Sequence, residues 1–231
     1  MSANEKTARE ASSFKTAGAL LLALKDWASV PENFPYGFGA LILNFVLYQS
    51  ELIPRWISVW GLIGAILVIA MGFLRTFGYP AIYLAIPLIL NELVLAVWLI
   101  VIGFNVSGIT SAVVGVLFFT ALVSTMLNGY FTKSLNDADD LTAASENENQ
   151  VLTGVLFEIA LTASVVAIPI LMFPILSEHS VGLALGYVVA RIFEGFFDVV
   201  IALSQLMLLT LSREFVKAGV PSSKTAINEM E

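Results

Sequence analysis

Apolar residues come in long runs along this chain, separated by short polar breaks. A helix needs about 20 predominantly apolar residues to cross a bilayer. Five runs meet that length or approach it: 57–74, 81–104, 111–131, 151–176 and 181–211. Arg75 closes the first run, and Thr76–Pro80 reads as a turn. NVSGIT (105–110) is a short polar link and SEHS (177–180) a tight turn. The one long hydrophilic interruption is TKSLNDADDLTAASENENQ (132–150). Pro54 suits a helix start, and Trp56 and Trp60 suit the headgroup level.

Residues 13–50 carry a weaker pattern. SFKTAGALLLALKDWASV (13–30) is interrupted by Lys15, Lys25 and Asp26, which leaves three placements: spanning, entering only halfway, or lying at the interface. Pro31 and Pro35 bracket a break. YGFGALILNFVLY (36–48) is apolar but short for a full crossing. The pattern as a whole predicts an all-α, polytopic transmembrane helix bundle of about six spans, with seven as the alternative. One half-inserted or interfacial segment falls in 13–50. A single helical domain over 13–212 is expected between polar tails at 1–12 and 213–231.

Composition agrees with the pattern. The 231 residues are 58% hydrophobic and 13% charged, with mean hydropathy +0.88. Soluble domains hold about 45–50% apolar and about 25% charged residues. The lipid bilayer is therefore the expected partner. A net charge of −7 argues against nucleic acid. Much of that charge sits in 136–150 and at Glu229 and Glu231. The chain has no cysteine, which removes disulfides, thiolate metal sites, iron–sulfur clusters and cysteine nucleophiles. MSANEKTAREASSFK (1–15) lacks the apolar core and cleavage site of a signal peptide. If 13–50 crosses once, Lys6, Arg9, Lys15, Arg75, Lys133, Arg213, Lys217 and Lys224 share one side and Arg55 lies on the other. The positive-inside rule then puts both ends in the cytoplasm.

Seven ionisable residues interrupt the apolar segments: Lys25, Asp26, Glu92, Glu158, Arg191, Glu194 and Asp198. A charge at the bilayer centre costs about 2.5–3.5 kcal/mol on insertion scales. The seven are expected to converge inside the bundle. At about 100° per residue, Tyr187, Arg191, Glu194, Asp198 and Gln205 share one face of the last helix. Arg191 is expected to pair with Glu194 on its own helix, and with Glu158 or Glu92 across the bundle.

Acids exceed bases in this set, which favours a cation, a proton or a small polar ligand. Glu158, Glu194 and Glu92 are the candidate acceptors, with Arg191 as internal counter-ion. The leading function is a small transporter or binding protein. The alternatives are a membrane-embedded enzyme with a carboxylate base, and a structural or sensory protein whose ion pairs only lock the fold. No catalytic residue is singled out: G-x-S-x-G and H-E-x-x-H are both missing. No metal site and no cofactor are expected. His179, the only histidine, lies in the SEHS turn. Pro87, Pro169 and Pro174 read as packing kinks, and Gly182 with Gly186 as a close helix contact within the chain. Asn105 opens a glycosylation sequon hard against a span.

Several stretches resemble a bacterial family of multi-pass membrane proteins known as domain of unknown function 4386. They are GALLLALKDWA (18–28), LYQSELIPRWISVWGLIGA (47–65), LNELVLAVWLIVIGFN (90–105), NENQVLTGVLFEIAL (147–161), HSVGLALGYVVARIFEG (179–195) and LLTLSREFVKAG (208–219). The resemblance implies a multi-pass protein of the bacterial inner membrane and no particular activity. The order differs from the family's: the counterpart of 110–219 leads there, followed by the counterpart of 10–50 and the PRW segment. This suggests a circular permutation joined through GFNVSGITSA (103–112). Joining old ends by so short a link needs both on one side, which favours six crossings.

Overall fold

The computed structural model describes residues 3–104, 108–136 and 142–218. The sequon at Asn105, Glu229, Glu231 and part of the acidic stretch 136–150 lie outside them. Eight α-helices follow one another: α1 (Ala3–Ala28), α2 (Asn33–Ser50), α3 (Arg55–Thr76), α4 (Ile86–Val101), α5 (Gly108–Phe131), α6 (Thr142–Glu146), α7 (Glu148–Ser177) and α8 (Val181–Lys217). One 3₁₀ turn at Ile82–Ala85 leads into α4 and another covers Lys133–Leu135. No strand occurs among the described residues.

Five helical stretches are long and apolar enough to cross a membrane: Arg55–Thr76, Ile82–Val101, Ile109–Phe131, Glu148–Ser177 and Val181–Lys217. They coincide with the five apolar runs of the sequence. This is a membrane protein, and its architecture is an all-α bundle. The lipid-facing sides are greasy, with Ile63, Ile66, Phe73, Ile100, Phe119 and Phe196 all exposed.

α8 is the mast of the bundle. Its 37 residues give a rod of about 55 Å at 1.5 Å per residue, against a hydrocarbon core of about 30 Å. α1 and α2 run along it one after the other, both antiparallel to it. On α1, the Phe14 ring meets that of Phe215 at 5.7 Å, and Leu21 packs on Leu208 and Leu209. On α2, Gly39 lies against Ala190 and Arg191, and Ile42 against Gly186. Chain numbers rise on one rod as they fall on the other.

The break between α1 and α2 sits at residues 29–32, where Pro31 interrupts the sequence. Arg75, at the end of α3, clamps it by donating to the Ser29 carbonyl at 3.0 Å and to Ser29 Oγ at 2.9 Å. Asn33 closes the turn with bonds to the Ser29 and Val30 carbonyls.

α2 occupies the same depth as α3: Asn33 faces Gly72 and Asn44 faces Gly61. α2, α3, α4, α5, α7 and α8 therefore make six rods through the bundle. α1 continues beyond Arg75 along the far half of α8, with Leu20, Leu24 and Trp27 exposed. That placement suits the interfacial segment expected in 13–50. α1 begins at Ala3, so the described part of the expected polar tail at 1–12 is helical. α8 likewise runs on to Lys217. The hydrophilic stretch after α5 is partly folded, as the 3₁₀ turn and α6. Leu135 and Ala144 pack there with Val151 of α7 and Leu208 and Leu209 of α8.

Buried amides tie the helices, as suits a setting where a polar group has no water to turn to. Asn91 donates to the Ile57 carbonyl at 2.7 Å, joining α4 to α3. Asn128 and Gln205 exchange bonds at 3.1 and 3.3 Å, and Asn128 also reaches the Gly154 carbonyl at 2.9 Å. That one knot joins α5, α7 and α8. Pro87 lies in the first turn of α4 and kinks nothing, whereas α7 continues through both Pro169 and Pro174. Gly186 packs inside the chain, against Ile42 of α2.

Two outcomes follow from this packing. A Cβ at Gly115 would stand 2.7 Å from the Ala96 carbonyl oxygen and 3.0 Å from the Ile100 nitrogen, both backbone atoms that cannot turn aside. Gly115→Val should therefore destabilise the α4–α5 seam by about 1–3 kcal/mol, read as a lower unfolding temperature in detergent. Topology can be read with single cysteines, since the chain has none of its own. Arg9→Cys and Lys217→Cys should react with an impermeant maleimide from one face of sealed vesicles, and Glu51→Cys and Glu178→Cys from the other.

Candidate functional site

The charged face of α8 is buried along its length. Tyr187, Arg191, Glu194, Asp198 and Gln205 all point inward. Arg191 is 3% exposed and is the hub. Its Nη1 donates to both Glu194 carboxylate oxygens at 2.9 Å, and its Nη2 reaches Glu92 Oε1 at 3.5 Å. Tyr36 Oη donates to the other Glu92 oxygen at 3.0 Å. The guanidinium carbon lies 5.6 Å from the Tyr36 and Tyr187 ring centres and 6.0 Å from that of Phe118. Aromatic faces attract a cation at that range. Helices α2, α4, α5 and α8 thus converge on one positive charge.

Below Arg191 the cluster turns acidic. Asp198 is 1% exposed, and its Oδ2 has no hydrogen-bond partner among the described residues. Glu32, Glu194 and Glu158 stand close enough to repel its charge. Neither Asp198, Glu32 nor Glu158 forms an ion pair among the described residues. Lys25 of α1 attracts Glu158 and donates to Asn136 Oδ1 at 2.6 Å.

A cavity of about 170 Å³ lies at this centre. Its polar wall is Glu32, Tyr36, Glu92, Arg191, Glu194 and Asp198. Phe118, Leu161, Val165 and Ile168 close the far side. The described residues contain no group of His, Asp and Glu side chains fit to hold a metal ion.

One family model matches the chain, the Domain of unknown function (DUF4386), over residues 2–103 and 113–230. The chain belongs to this family. No curated protein and no solved structure matches it. The family match includes every residue of the site, on α1, α2 and α4 in its first stretch and on α5, α7 and α8 in its second.

Of the seven ionisable residues picked from the sequence, Glu92, Arg191, Glu194 and Asp198 line the cavity. Glu158 is buried but lies off it, one turn from the lining residue Leu161. Lys25 is half-buried between Glu158 and Asn136, and Asp26 is exposed on α1. The across-bundle partner of Arg191 is Glu92. Two lining residues escaped the sequence reading, Glu32 and Tyr36. Glu32 lies in the PENFP break, which Arg75 holds against the bundle through Ser29, and Tyr36 opens the short apolar run 36–48.

Removing Arg191 alone would leave Glu92 and Glu194 buried without a counter-charge. Breaking a buried pair from one side costs about 3–5 kcal/mol. Arg191→Met should lower the unfolding temperature sharply in detergent, and adding Glu194→Leu should restore part of the loss.

Proposed function

We propose that this membrane protein binds or translocates a cation or proton at the Arg191 cluster. The observation that carries the reading is the cavity itself, lined by Asp198, whose Oδ2 has no partner among the described residues. A network serving only to lock helices would be expected to close on itself, because a half-satisfied buried network is costly. This one pairs Arg191 with Glu194 and Glu92 but leaves Arg191 Nε, Tyr187 Oη and Asp198 Oδ2 without partners among the described residues. Acids outnumber bases around the space, so its field favours positive charge. Arg191 serves as an internal counter-ion that holds Glu92 and Glu194 in place. Asp198 and Glu32 are the groups with capacity for an incoming charge. Glu158, Lys25 and Asn136 extend the polar track from the centre towards the α1 end of α8. Embedded ionisable residues of this kind mark ion paths and proton relays in membrane bundles.

The test is flux across a sealed membrane. Proteoliposomes carrying the full chain are given a proton gradient, followed by an internal pH dye, or a sodium gradient, followed by tracer. Flux above that of empty liposomes is expected for one of the two. Asp198→Asn should reduce it roughly tenfold or more, an effect of about 1.4 kcal/mol per decade, while the protein still elutes as folded. Absence of both fluxes overturns translocation, and full flux in Asp198→Asn overturns the site.

A further inference from the structure

The cavity is not closed to the bilayer. α4 and α5 touch through backbone at Gly115, against Ala96 and Ile100. About three helical turns further along α5, the lining residue Met126 is 75% exposed. Thr125 beside it is also exposed, as is Ile89 on the α4 side. Both Thr125 and Ile89 line the cavity. Away from the Gly115 contact, the cavity is thus lined by residues of α4 and α5 that are exposed on the outside of the bundle. The mouth is Ile89, Leu122, Thr125 and Met126, and the floor is Arg191, Glu194, Asp198 and Glu32.

We propose that the cavity takes an amphipathic organic cation, an ammonium group on a small apolar body, that enters sideways between α4 and α5. The inference rests on the cation reading given above and deepens it. Charge decides the head group. Arg191 already faces Glu194 and Glu92, and Glu32 and Asp198 line the same space. An added anion would therefore meet more acids than bases, even though Arg191 Nε has no partner among the described residues. Asp198, 1% exposed, lines the space and has an Oδ2 with no partner among the described residues, so it is the acceptor left for a donor to fill. Tyr36 and Phe118 add aromatic faces in the same wall. Size and lining decide the body. The cavity is about 170 Å³, and an apolar cavity of about 150 Å³ holds a benzene-sized molecule. Leu122, Leu161, Val165 and Ile168 supply the apolar side. A bare hydrated ion would leave those residues uncovered. The sideways mouth decides the route: Met126, an unbranched and adaptable side chain, stands in it, as suits a gate that yields to varied apolar groups.

Benzylammonium is the probe, with benzyl alcohol as neutral isostere and benzoate as anion of similar size. Binding to the full chain in lipid nanodiscs is measured by equilibrium dialysis against protein-free nanodiscs. Saturable binding of benzylammonium is expected, with the alcohol and benzoate each weaker by roughly tenfold or more. Asp198→Asn should cost benzylammonium a similar factor while leaving the alcohol unchanged. Met126→Trp, which crowds the mouth and removes no charge, should slow benzylammonium association in a rapid-filtration time course on the same nanodiscs and serves if Asp198→Asn does not fold; an unchanged rate overturns the sideways route. Equal binding of the alcohol, or tighter binding of benzoate, overturns the proposal. Flux of protons or sodium that depends on Asp198, with no saturable benzylammonium binding, overturns the ligand class and leaves the site reading standing. Absence of binding together with absence of flux overturns both.

Discussion

The fold depends on keeping one guanidinium charged inside a bundle that excludes water. Arg191 cannot shed its proton at any ordinary pH, and a bare charge in hydrocarbon is prohibitive. Its neighbours must supply the opposite charge and the missing hydrogen bonds. Glu194 does so from one turn along α8, Glu92 from α4, and Tyr36 orients Glu92 from α2. That requirement sets the rotation of α8 about its axis and brings α2 and α4 to it. Rows of Leu, Ile and Val cannot do this alone, because one apolar face packs in lipid about as well as another.

The same cluster explains the shape of the N-terminal part. A single straight helix along α8 would carry the chain past Arg191 without leaving a wall for the space beneath it. The break at 29–32 interrupts the rod at that depth. It is held by Arg75 through Ser29, and it delivers Glu32 and Tyr36 to the cavity. α1 then lies along the outer half of α8 with an exposed apolar side at Leu20, Leu24 and Trp27. Its sequence is too interrupted to live wholly in lipid and too apolar to leave it.

Much of the fold is legible in the chain. The five long apolar runs match five helices, because spanning hydrocarbon demands length and greasiness that few other settings demand. The weaker pattern of 13–50 corresponds to two helices, α1 and α2, laid end to end along α8 beside the polar site. The face shared by Tyr187, Arg191, Glu194, Asp198 and Gln205 is visible from helical spacing alone, and so is the pairing of Arg191 with Glu194. The stretch 132–150 was less legible. Its polar surface residues mask Leu135 and Ala144, whose burial comes from α7 and α8.

The sequence by itself determined the solvent, the helical class and the inward stripe, since each follows from local periodicity and the cost of charge in lipid. Tertiary structure decided which acid crosses to Arg191. Both Glu92 and Glu158 interrupt apolar runs along the chain, but only Glu92 comes within reach of the guanidinium, while Glu158 lies off the cavity without an ion pair among the described residues. It also decided that a proline-marked turn is a cavity wall, because Arg75 holds it inward from another helix. A helix period fixes the face a residue occupies on its own rod. Which rods meet there, and where they part to leave space, depends on backbone contacts such as Gly115 on Ala96, made between residues far apart in the chain.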